Sequence, residues 1–234
     1  MSDEVDRHVA KRFELKQKLG KGAYGIVWKA SDRRSGSDYA LKKVFDAFQN
    51  STDAQRTYRE VCYLMQMDHE NIVKLHSILR ADNHLDIYLV FEYMETDLHA
   101  TIRANILEEI HKQYIMYQAF KALAYMHSAK LVHRDMKPAN LLLNSECLMK
   151  VADFGLARSV NSSTDGATSE PIEDTMTDYV ATRWYRAPEI LVGSSKYGYR
   201  ADVWSLGCIF AEMIDVRRVP SVPSVVERAE RGRT

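Results

Sequence analysis

The stretch LVHRDMKPANLLLNSECLMKVADFG, residues 131–155, decides how the rest of the chain is interpreted. Its apolar runs predict two short strands, over residues 141–143 and 148–151. Loops around these strands carry two carboxylates, an amide and an ammonium: Asp135, Asp153, Asn140 and Lys137. Polar groups of these kinds around short strands predict a site for phosphoryl transfer.

The chemistry of phosphoryl transfer gives each of the four side chains a role. Moving the terminal phosphoryl of ATP to a hydroxyl requires a carboxylate that receives the hydroxyl proton, which suits Asp135. Mg²⁺ takes oxygen ligands and keeps several waters, so Asn140 and Asp153 are the predicted metal ligands. Lys137 is placed to put positive charge on the migrating phosphoryl. A lone HRD or DFG tripeptide is more often a turn, but both together, in this order and with Lys137 and Asn140 between them, favour a site.

Composition and charge are those of an ordinary globular protein. Of the 234 residues, 46% are hydrophobic and 27% are charged, and 32 basic residues balance 32 acidic ones. This balance gives no indication of a nucleic-acid partner. No run approaches the length of a membrane span and the N-terminus lacks an apolar secretion core, so we expect no membrane partner and an intracellular protein, cytoplasmic with nuclear entry left open. The three widely spaced cysteines, Cys62, Cys147 and Cys208, predict reduced thiols.

A glycine-rich segment near the N-terminus predicts a loop that holds phosphates. The segment reads Leu19-Gly20-Lys21-Gly22-Ala23-Tyr24-Gly25-Ile26-Val27. Its glycines let backbone N–H groups approach phosphate oxygens. A dinucleotide-binding fold uses the same glycine spacing, but its third glycine opens a helix. Residues 13–18 and 26–30 have strand patterns instead, so we predict a hairpin, with an ordinary glycine-rich hairpin as the alternative.

The next predicted strand, residues 39–44, carries two neighbouring lysines on opposite faces. The pattern Ala-x-Lys selects Lys42 for the nucleotide phosphates and leaves Lys43 as a solvated neighbour. A buried lysine needs a carboxylate partner to stay charged, and Glu60 on a helix predicted over residues 53–67 is the candidate. The apolar stripe of that helix is predicted to be Tyr58, Val61, Leu64 and Met65.

A buried strand over residues 87–91 runs into a polar segment without turn glycines, which predicts a hinge between two lobes. The adenine edge would bond to the backbone from Glu92 to Met94, and Asp97 would take a ribose hydroxyl. Beyond the hinge, helices are predicted over residues 98–110, 109–128 and 201–213. The second should bury Ile110, Tyr114, Tyr117, Leu123 and Met126. The third is apolar all round and should be buried on all sides.

Taken in order, these motifs resemble those of a eukaryotic protein kinase over residues 13–213. The resemblance rests on Gly20, Gly22, Gly25, Lys42, Glu60, His133-Arg134-Asp135, Asn140, Asp153-Phe154-Gly155 and Ala187-Pro188-Glu189. It matches the established template of that family. It implies an α+β, bilobal protein-kinase fold with an extension over residues 1–12, a β-rich N-lobe over 13–93 and a helical C-lobe over 94–213. It also implies ATP and Mg²⁺ as cofactors, and Lys137 is similar to the serine/threonine-specific form.

The segment Thr177-Asp178-Tyr179 is similar to the activation lip of mitogen-activated protein (MAP) kinases. Residues 45–48 and 52–56 most resemble the atypical branch called extracellular signal-regulated kinase seven or eight, or MAP kinase fifteen, whose lip usually reads Thr-Glu-Tyr. The resemblance implies protein substrates with Ser or Thr followed by Pro, and control by phosphorylation of Thr177 and Tyr179 by an upstream kinase or by the chain itself. Five arginines would bind the added phosphates: Arg59, Arg134 and Arg158 at the first, Arg183 and Arg186 at the second.

After residue 213 the resemblance is lost, since residues 214–234 are rich in arginine and proline and suit a disordered end. The family continues with further helices, one of which supplies an arginine for Glu189. The resemblance therefore implies a C-terminally truncated kinase whose C-lobe lacks its last helices. Two functions stay open: an active serine/threonine kinase, and a catalytically silent fragment that binds nucleotide or partners and competes with a full-length kinase.

Overall fold

A computed structural model describes residues 4–22, 25–48, 50–160, 182–192 and 198–214. The chain forms two compact units, residues 1–95 and 96–234. Four predicted site residues, Ala23, Tyr24, Thr177 and Tyr179, lie outside the described residues. So does the tail over residues 215–234 that was predicted to be disordered.

The first unit is built on an antiparallel five-stranded sheet. Its elements are α1 (Arg7–Arg12), β1 (Phe13–Gly22), β2 (Gly25–Asp32), β3 (Asp38–Val44), α2 (Ser51–Gln66), β4 (Leu75–Arg80) and β5 (Ile87–Glu92). The strand order is β1-β2-β3-β5-β4. β1 and β2 pair from Phe13 opposite Asp32 to Gly22 opposite Gly25, which confirms the glycine hairpin. The dinucleotide-binding alternative is excluded because a strand, not a helix, begins at Gly25.

The short helix α1 was not predicted from the sequence. Val9 is fully buried in one cluster with Phe13, Leu41 and Tyr88 of the sheet. Within α1, Val9 is the one buried residue, so the helix shows no apolar periodicity that could reveal it. The helix is therefore held by a tertiary contact.

The buried face of α2 differs from the predicted apolar stripe. The buried residues are Thr57, Glu60 and Leu64. Leu64 was predicted correctly, but Tyr58 and Met65 are exposed, so the prediction is wrong for both. The reason is that the face turned inward carries the carboxylate of Glu60, which has an ionic partner on β3.

Lys43 is buried, and the prediction that it is solvated is wrong. It shares a strand face with Leu41, which is completely buried. Its Nζ lies 3.4 Å from Oδ2 of Asp86, and the two side chains are 5% and 9% exposed. Nζ also donates to the carbonyl of Glu4 at 3.0 Å, which ties the N-terminal segment to the sheet.

Where the structure describes it, the second unit combines helices with two small sheets. Its elements are β6 (Thr96–Asp97), α3 (Leu98–Ala104), α4 (Glu109–Ser128), β7 (Leu131–Val132), β8 (Leu141–Leu143), β9 (Met149–Val151), β10 (Arg158–Ser159), α5 (Pro188–Leu191) and α6 (Tyr199–Ile214). One sheet has the order β6-β8-β9 and the other pairs β7 with β10. The described residues of this unit also form three 3₁₀ turns: Pro138–Asn140, Phe154–Leu156 and Thr182–Tyr185. The predicted division into a β-rich part and a helical part is confirmed.

Two helix predictions need correction in their extent or buried face. The helix predicted over residues 98–110 stops at Ala104, because Asn105 takes a left-handed backbone conformation at φ 52°. α4 has the predicted bounds, but Ile110, Tyr114 and Tyr117 are exposed. Its buried face, which includes the predicted Leu123 and Met126, is formed by Ile115, Met116, Gln118, Ala119, Ala122, Leu123 and Met126.

The prediction that the last helix is buried on all sides is wrong. α6 packs against α4 and the 3₁₀ turn at Thr182–Tyr185. Four of its apolar side chains are exposed: Val203, Trp204, Phe210 and Ile214. Its described neighbours cover only part of its circumference.

Two further observations concern the cysteines and the helices. Cys62, Cys147 and Cys208 are all free thiols. In the part of the chain that the structure describes, no helix combines the length and the apolar character needed to cross a bilayer.

Candidate active site

The glycine hairpin of the first unit contains glycines with two different roles. At Gly25 an added Cβ would lie 2.1 Å from the carbonyl oxygen of Lys43, so β2 can approach β3 only without a side chain there. At Gly20 and Gly22 an added Cβ would meet no described heavy atom within 4 Å. Neither of these two has a left-handed backbone. Packing therefore requires glycine at position 25, whereas positions 20 and 22 leave open space beside the backbone for a ligand.

This difference predicts opposite effects of the same substitution. Gly25→Ala should lower the free energy of unfolding by about 1–3 kcal/mol, because the backbone of Lys43 cannot move aside. Gly20→Ala should leave that free energy unchanged or slightly higher, since it removes freedom from the unfolded chain. Urea denaturation measures both. Equal losses for the two variants would contradict the assignment of packing to Gly25 alone.

Lys42 and Glu60 form the ion pair that the sequence predicts. Nζ of Lys42 donates to both carboxylate oxygens of Glu60, at 2.9 Å each. The Glu60 side chain is 8% exposed and that of Lys42 is 27% exposed. The pairing of two opposite charges fixes the position of the ammonium on β3.

The residues predicted to contact adenine lie near the end of the first unit in sequence, and the residue predicted to contact ribose lies at the start of the second. Met94 is buried, and the backbone N–H of Glu92 donates to the carbonyl of Lys74 at 3.1 Å. Asp97 caps α3, because its Oδ1 accepts from the backbone N–H of Ala100 at 2.9 Å. The cap engages one carboxylate oxygen of Asp97.

In the second unit, the carboxylate of Asp135 is buried, and one of its two oxygens contacts other side chains. Its Oδ2 lies 2.8 Å from Nζ of Lys137 and accepts from Nδ2 of Asn140 at 3.1 Å. Its Oδ1 is buried and has no hydrogen-bond partner among the described residues. Burial raises the pKa of Asp135, the charge of Asp153 raises it further, and Lys137 opposes both. Asp135 thus keeps one oxygen available to accept a proton.

His133 connects the two motifs that carry the acidic residues. Its Nε2 lies 3.1 Å from the carbonyl of Ala152, next to Asp153. Its ring meets the buried ring of Phe154 edge-on, with centroids 4.9 Å apart. Asp153 has a left-handed backbone at φ 64°, which is uncommon for a non-glycine residue. The structure therefore brings the predicted base and the predicted metal ligand Asp153 into one site.

The oxygen atoms near Asp135 are of the chemical type that binds Mg²⁺. Nδ2 of Asn140 donates to the carbonyl and the carboxylate of Asp135. This leaves Oδ1 of Asn140 as the amide atom that can face a metal. Together with the carboxylate of Asp153 it offers oxygen ligands, as Mg²⁺ requires.

Asp202 is a functional residue to which sequence reasoning gave no role. It lies near the start of α6 and is 1% exposed. Its carboxylate accepts from the backbone N–H groups of His133 and Arg134, each at 2.9 Å. Arg134 has a left-handed backbone at φ 73°, a strained conformation that these bonds hold in place. The signal in the sequence was a carboxylate in an apolar helix, since a buried carboxylate must have partners.

The five arginines predicted to bind phosphates are spread over both units. Arg134 and Arg158 are buried, and Arg134 and Arg186 line one small cavity of the second unit. Arg183 lies in the 3₁₀ turn at Thr182–Tyr185, and Arg59 donates to Gln55 on α2. Their predicted partners lie outside the described residues, so these roles stay predictions.

Comparison with known proteins defines the class first. The family model described as "Protein kinase domain" matches residues 13–225. The chain therefore belongs to the protein kinase family. The match extends past residue 213, where sequence analysis ended the resemblance.

Curated relatives then define the group within the family. "Extracellular signal-regulated kinase 2" of Dictyostelium discoideum is 63% identical over 214 residues, 91% of this chain and 57% of the relative. "Mitogen-activated protein kinase 15" of Caenorhabditis elegans is 53% identical over 233 residues, 99% of this chain and 49% of the relative. "Extracellular signal-regulated kinase 7" of Drosophila melanogaster is 52% identical over 230 residues, which are 97% of this chain and 25% of the relative. The predicted resemblance to MAP kinases of this branch is confirmed, and the chain spans about half the length or less of these relatives.

Proposed function

We propose that the chain is an ATP-dependent serine/threonine protein kinase of the MAP kinase type. The observation that supports this best is the environment of Asp135, a buried carboxylate with one oxygen free of described partners. Lys137 and Asn140 engage the other oxygen and so fix the orientation of the carboxylate. A positioned acceptor of this kind is what transfer to a hydroxyl requires.

In the proposed reaction the substrate hydroxyl gives its proton to Oδ1 of Asp135. The hydroxyl oxygen forms a bond to the terminal phosphorus of ATP while the bond from that phosphorus to the bridging oxygen breaks, which releases ADP. Lys137 puts positive charge beside the moving phosphoryl. Because burial raises the pKa of Asp135, it accepts a proton more readily than an exposed aspartate. Mg²⁺ held by Asn140 and Asp153 would neutralise charge on the phosphate oxygens.

The nucleotide is proposed to bind through residues of the predicted N-lobe, residues 13–93, and the start of the C-lobe, residues 94–213. Lys42, held by Glu60, would balance phosphate charge. The glycine hairpin from Leu19 to Val27 would cover the phosphates. Glu92 and Met94 would bind adenine through their backbone, and Asp97 would bind a ribose hydroxyl.

Substrate choice and control are proposed from the resemblance to MAP kinases. Protein substrates would carry Ser or Thr followed by Pro, and phosphorylation of Thr177 and Tyr179 would raise activity. No Ser or Thr in this chain is followed by Pro. If the chain phosphorylates its own lip, it therefore does so outside its proposed consensus.

Peptide selectivity tests this proposal. The purified chain, Mg²⁺-ATP and matched peptides that contain Ser-Pro, Ser-Ala or Tyr-Pro should give fastest phosphorylation of Ser-Pro, by about tenfold over Ser-Ala, a difference of about 1.4 kcal/mol in transition-state binding. Asp153→Asn is the control, because it keeps the size of the side chain and removes a metal-binding charge. Phosphate on Tyr-Pro as fast as on Ser-Pro would contradict the serine/threonine assignment. Equal signal from Asp153→Asn and wild type would favour the silent fragment.

A further inference from the structure

We propose that Lys29 is a positioning residue for the nucleotide, acting through Tyr93 of the predicted hinge. Lys29 lies in β2 and belongs to none of the motifs that define the candidate site. Its Nζ lies over the ring of Tyr93, 4.3 Å from the ring centroid. The inference rests on the proposed nucleotide site for its effect on ATP, but its structural consequence can be measured separately.

Lys29 lies on the face of the sheet that carries Lys42. Lys29 pairs directly with Ala40 of β3, and Ala40 pairs with Phe91 of β5. Paired residues of antiparallel strands share one face, and so do residues two apart in a strand, such as Ala40 and Lys42. The row through Lys29 therefore ends at Phe91, two residues before Tyr93, and it belongs to the face proposed to bind the nucleotide.

Two contacts fix the ammonium group of Lys29. Nζ lies 2.9 Å from Oδ2 of Asp38, the first residue of β3, and the side chain of Lys29 is 27% exposed. The hydrogen bond to Asp38 raises the pKa of Lys29, so the ammonium is charged at neutral pH. A cation over an aromatic ring is attracted by the negative face of the ring, and partial removal from water strengthens this attraction. The ammonium therefore joins the start of β3 to the ring of Tyr93.

The residues on either side of Tyr93 are held by other contacts. Before it, the backbone N–H of Glu92 donates to the carbonyl of Lys74 at 3.1 Å. After it, the side chain of Met94 is buried. Tyr93 itself is held through its ring by Lys29. Because the backbone of residues 92–94 is proposed to bind adenine, this contact helps to set the position of the edge that adenine would meet.

The first test compares lysine substitutions on the same sheet. Lys29→Met keeps most of the length of the side chain and removes its charge, and we expect the KM for ATP to rise about fivefold with kcat little changed. Lys29→Arg keeps a cation over the ring and should recover most of that loss. Lys16→Met, which removes an exposed ion pair with Glu14 on β1, should leave the KM unchanged. Equal effects of methionine and arginine at position 29 would contradict the role of the charge.

The choice between ATP and GTP separates positioning of the hinge from general destabilisation of the sheet. Adenine carries an amino donor where guanine carries a carbonyl acceptor, so alignment with the hinge backbone should favour ATP. Lys29→Met should therefore lower the preference for ATP over GTP by about fivefold, since the loss falls on the aligned base. An equal rise in the KM of both nucleotides would overturn the proposal.

A second measurement does not depend on the proposed function. Amide hydrogen exchange at Tyr93 and Met94 should be about fivefold faster in Lys29→Met and near wild type in Lys29→Arg. On the Tyr93→Leu background, Lys29→Met should cause no additional change in this exchange. Unchanged exchange in Lys29→Met, or a full additional change on that background, would overturn the proposal. The expected exchange in a wild-type chain that binds no ATP would contradict the proposed function instead.

Discussion

Replacing Asp135 by asparagine should lower kcat by about 10²- to 10⁴-fold while the melting temperature stays equal to or above that of the wild-type chain. The activity falls because the amide cannot receive the proton of the substrate hydroxyl. The geometry is retained, since asparagine has the size of aspartate and can still face Lys137 and Asn140. Steady-state phosphate transfer and a thermal melt of the same preparation measure the two effects.

The direction of the stability effect follows from the raised pKa of Asp135. A raised pKa means that the folded state binds the proton more tightly than the unfolded state does. Ionised Asp135 therefore costs stability at neutral pH, and this cost disappears as the pH falls through its folded-state pKa. Asparagine carries no charge to desolvate, so the cost is absent at every pH.

The same pKa shift predicts the acid limb of the pH profile. As the pH is lowered, kcat/KM of the wild type should start to fall at a pH above about 4, the usual pKa of an aspartate. The reason is that protonated Asp135 cannot act as a base. A marked drop in the melting temperature of Asp135→Asn at neutral pH would contradict the assignment of a desolvated carboxylate. Full activity in that variant would contradict its role as the base.

The second large effect, a loss of stability, is expected at the buried ion pair of Lys43 and Asp86 in the first unit. Asp86→Asn should lower the free energy of unfolding by about 3–5 kcal/mol, since it leaves the ammonium of Lys43 buried without its counter-charge. Asparagine keeps an acceptor for the backbone N–H of Asp46, so the change isolates the charge. Chemical denaturation measures the loss, which is large against a total stability of about 5–15 kcal/mol.

A surface pair on the same sheet is the matched control. Lys29 and Asp38 lie 2.9 Å apart with side chains 27% and 40% exposed. Asp38→Asn should therefore change stability far less than Asp86→Asn, because water solvates the charge that remains. Similar losses of stability at the two positions would show that burial of Lys43 is not the reason that its ion pair stabilises the fold.

A double variant tests the same point in the opposite direction. Lys43→Met combined with Asp86→Asn removes both buried charges, and it should recover much of the stability that Asp86→Asn alone loses. Failure of methionine to recover stability would show that the unpaired charge of Lys43 is not the source of the loss.

Local patterns predicted most elements that carry the site. Alternation along β3 put Lys42 and Lys43 on opposite faces, and the pattern Ala-x-Lys selected Lys42 for the phosphates. The hairpin was predicted from the β-prone residues that follow Gly25. These features depend on near neighbours in the chain, which is why they can be predicted from the sequence.

Features that depend on distant contacts could not be predicted in the same way. The partner of Lys43 is Asp86, on the turn before β5, and no local pattern joins them. Asp202 likewise meets the backbone of His133 and Arg134 far back in the chain. Periodicity also misassigned the buried face of α4, because apolar residues such as Tyr117 occur on both of its faces.

The central claim is that this 234-residue chain itself transfers phosphate through Asp135. The most direct measurement counts moles of phosphoserine formed on a Ser-Pro peptide per mole of purified chain, beside an identical preparation of Asp135→Asn. The account predicts many turnovers for the wild type and a yield at least about 100-fold lower for the variant. A wild-type yield no higher than that of the variant would contradict it.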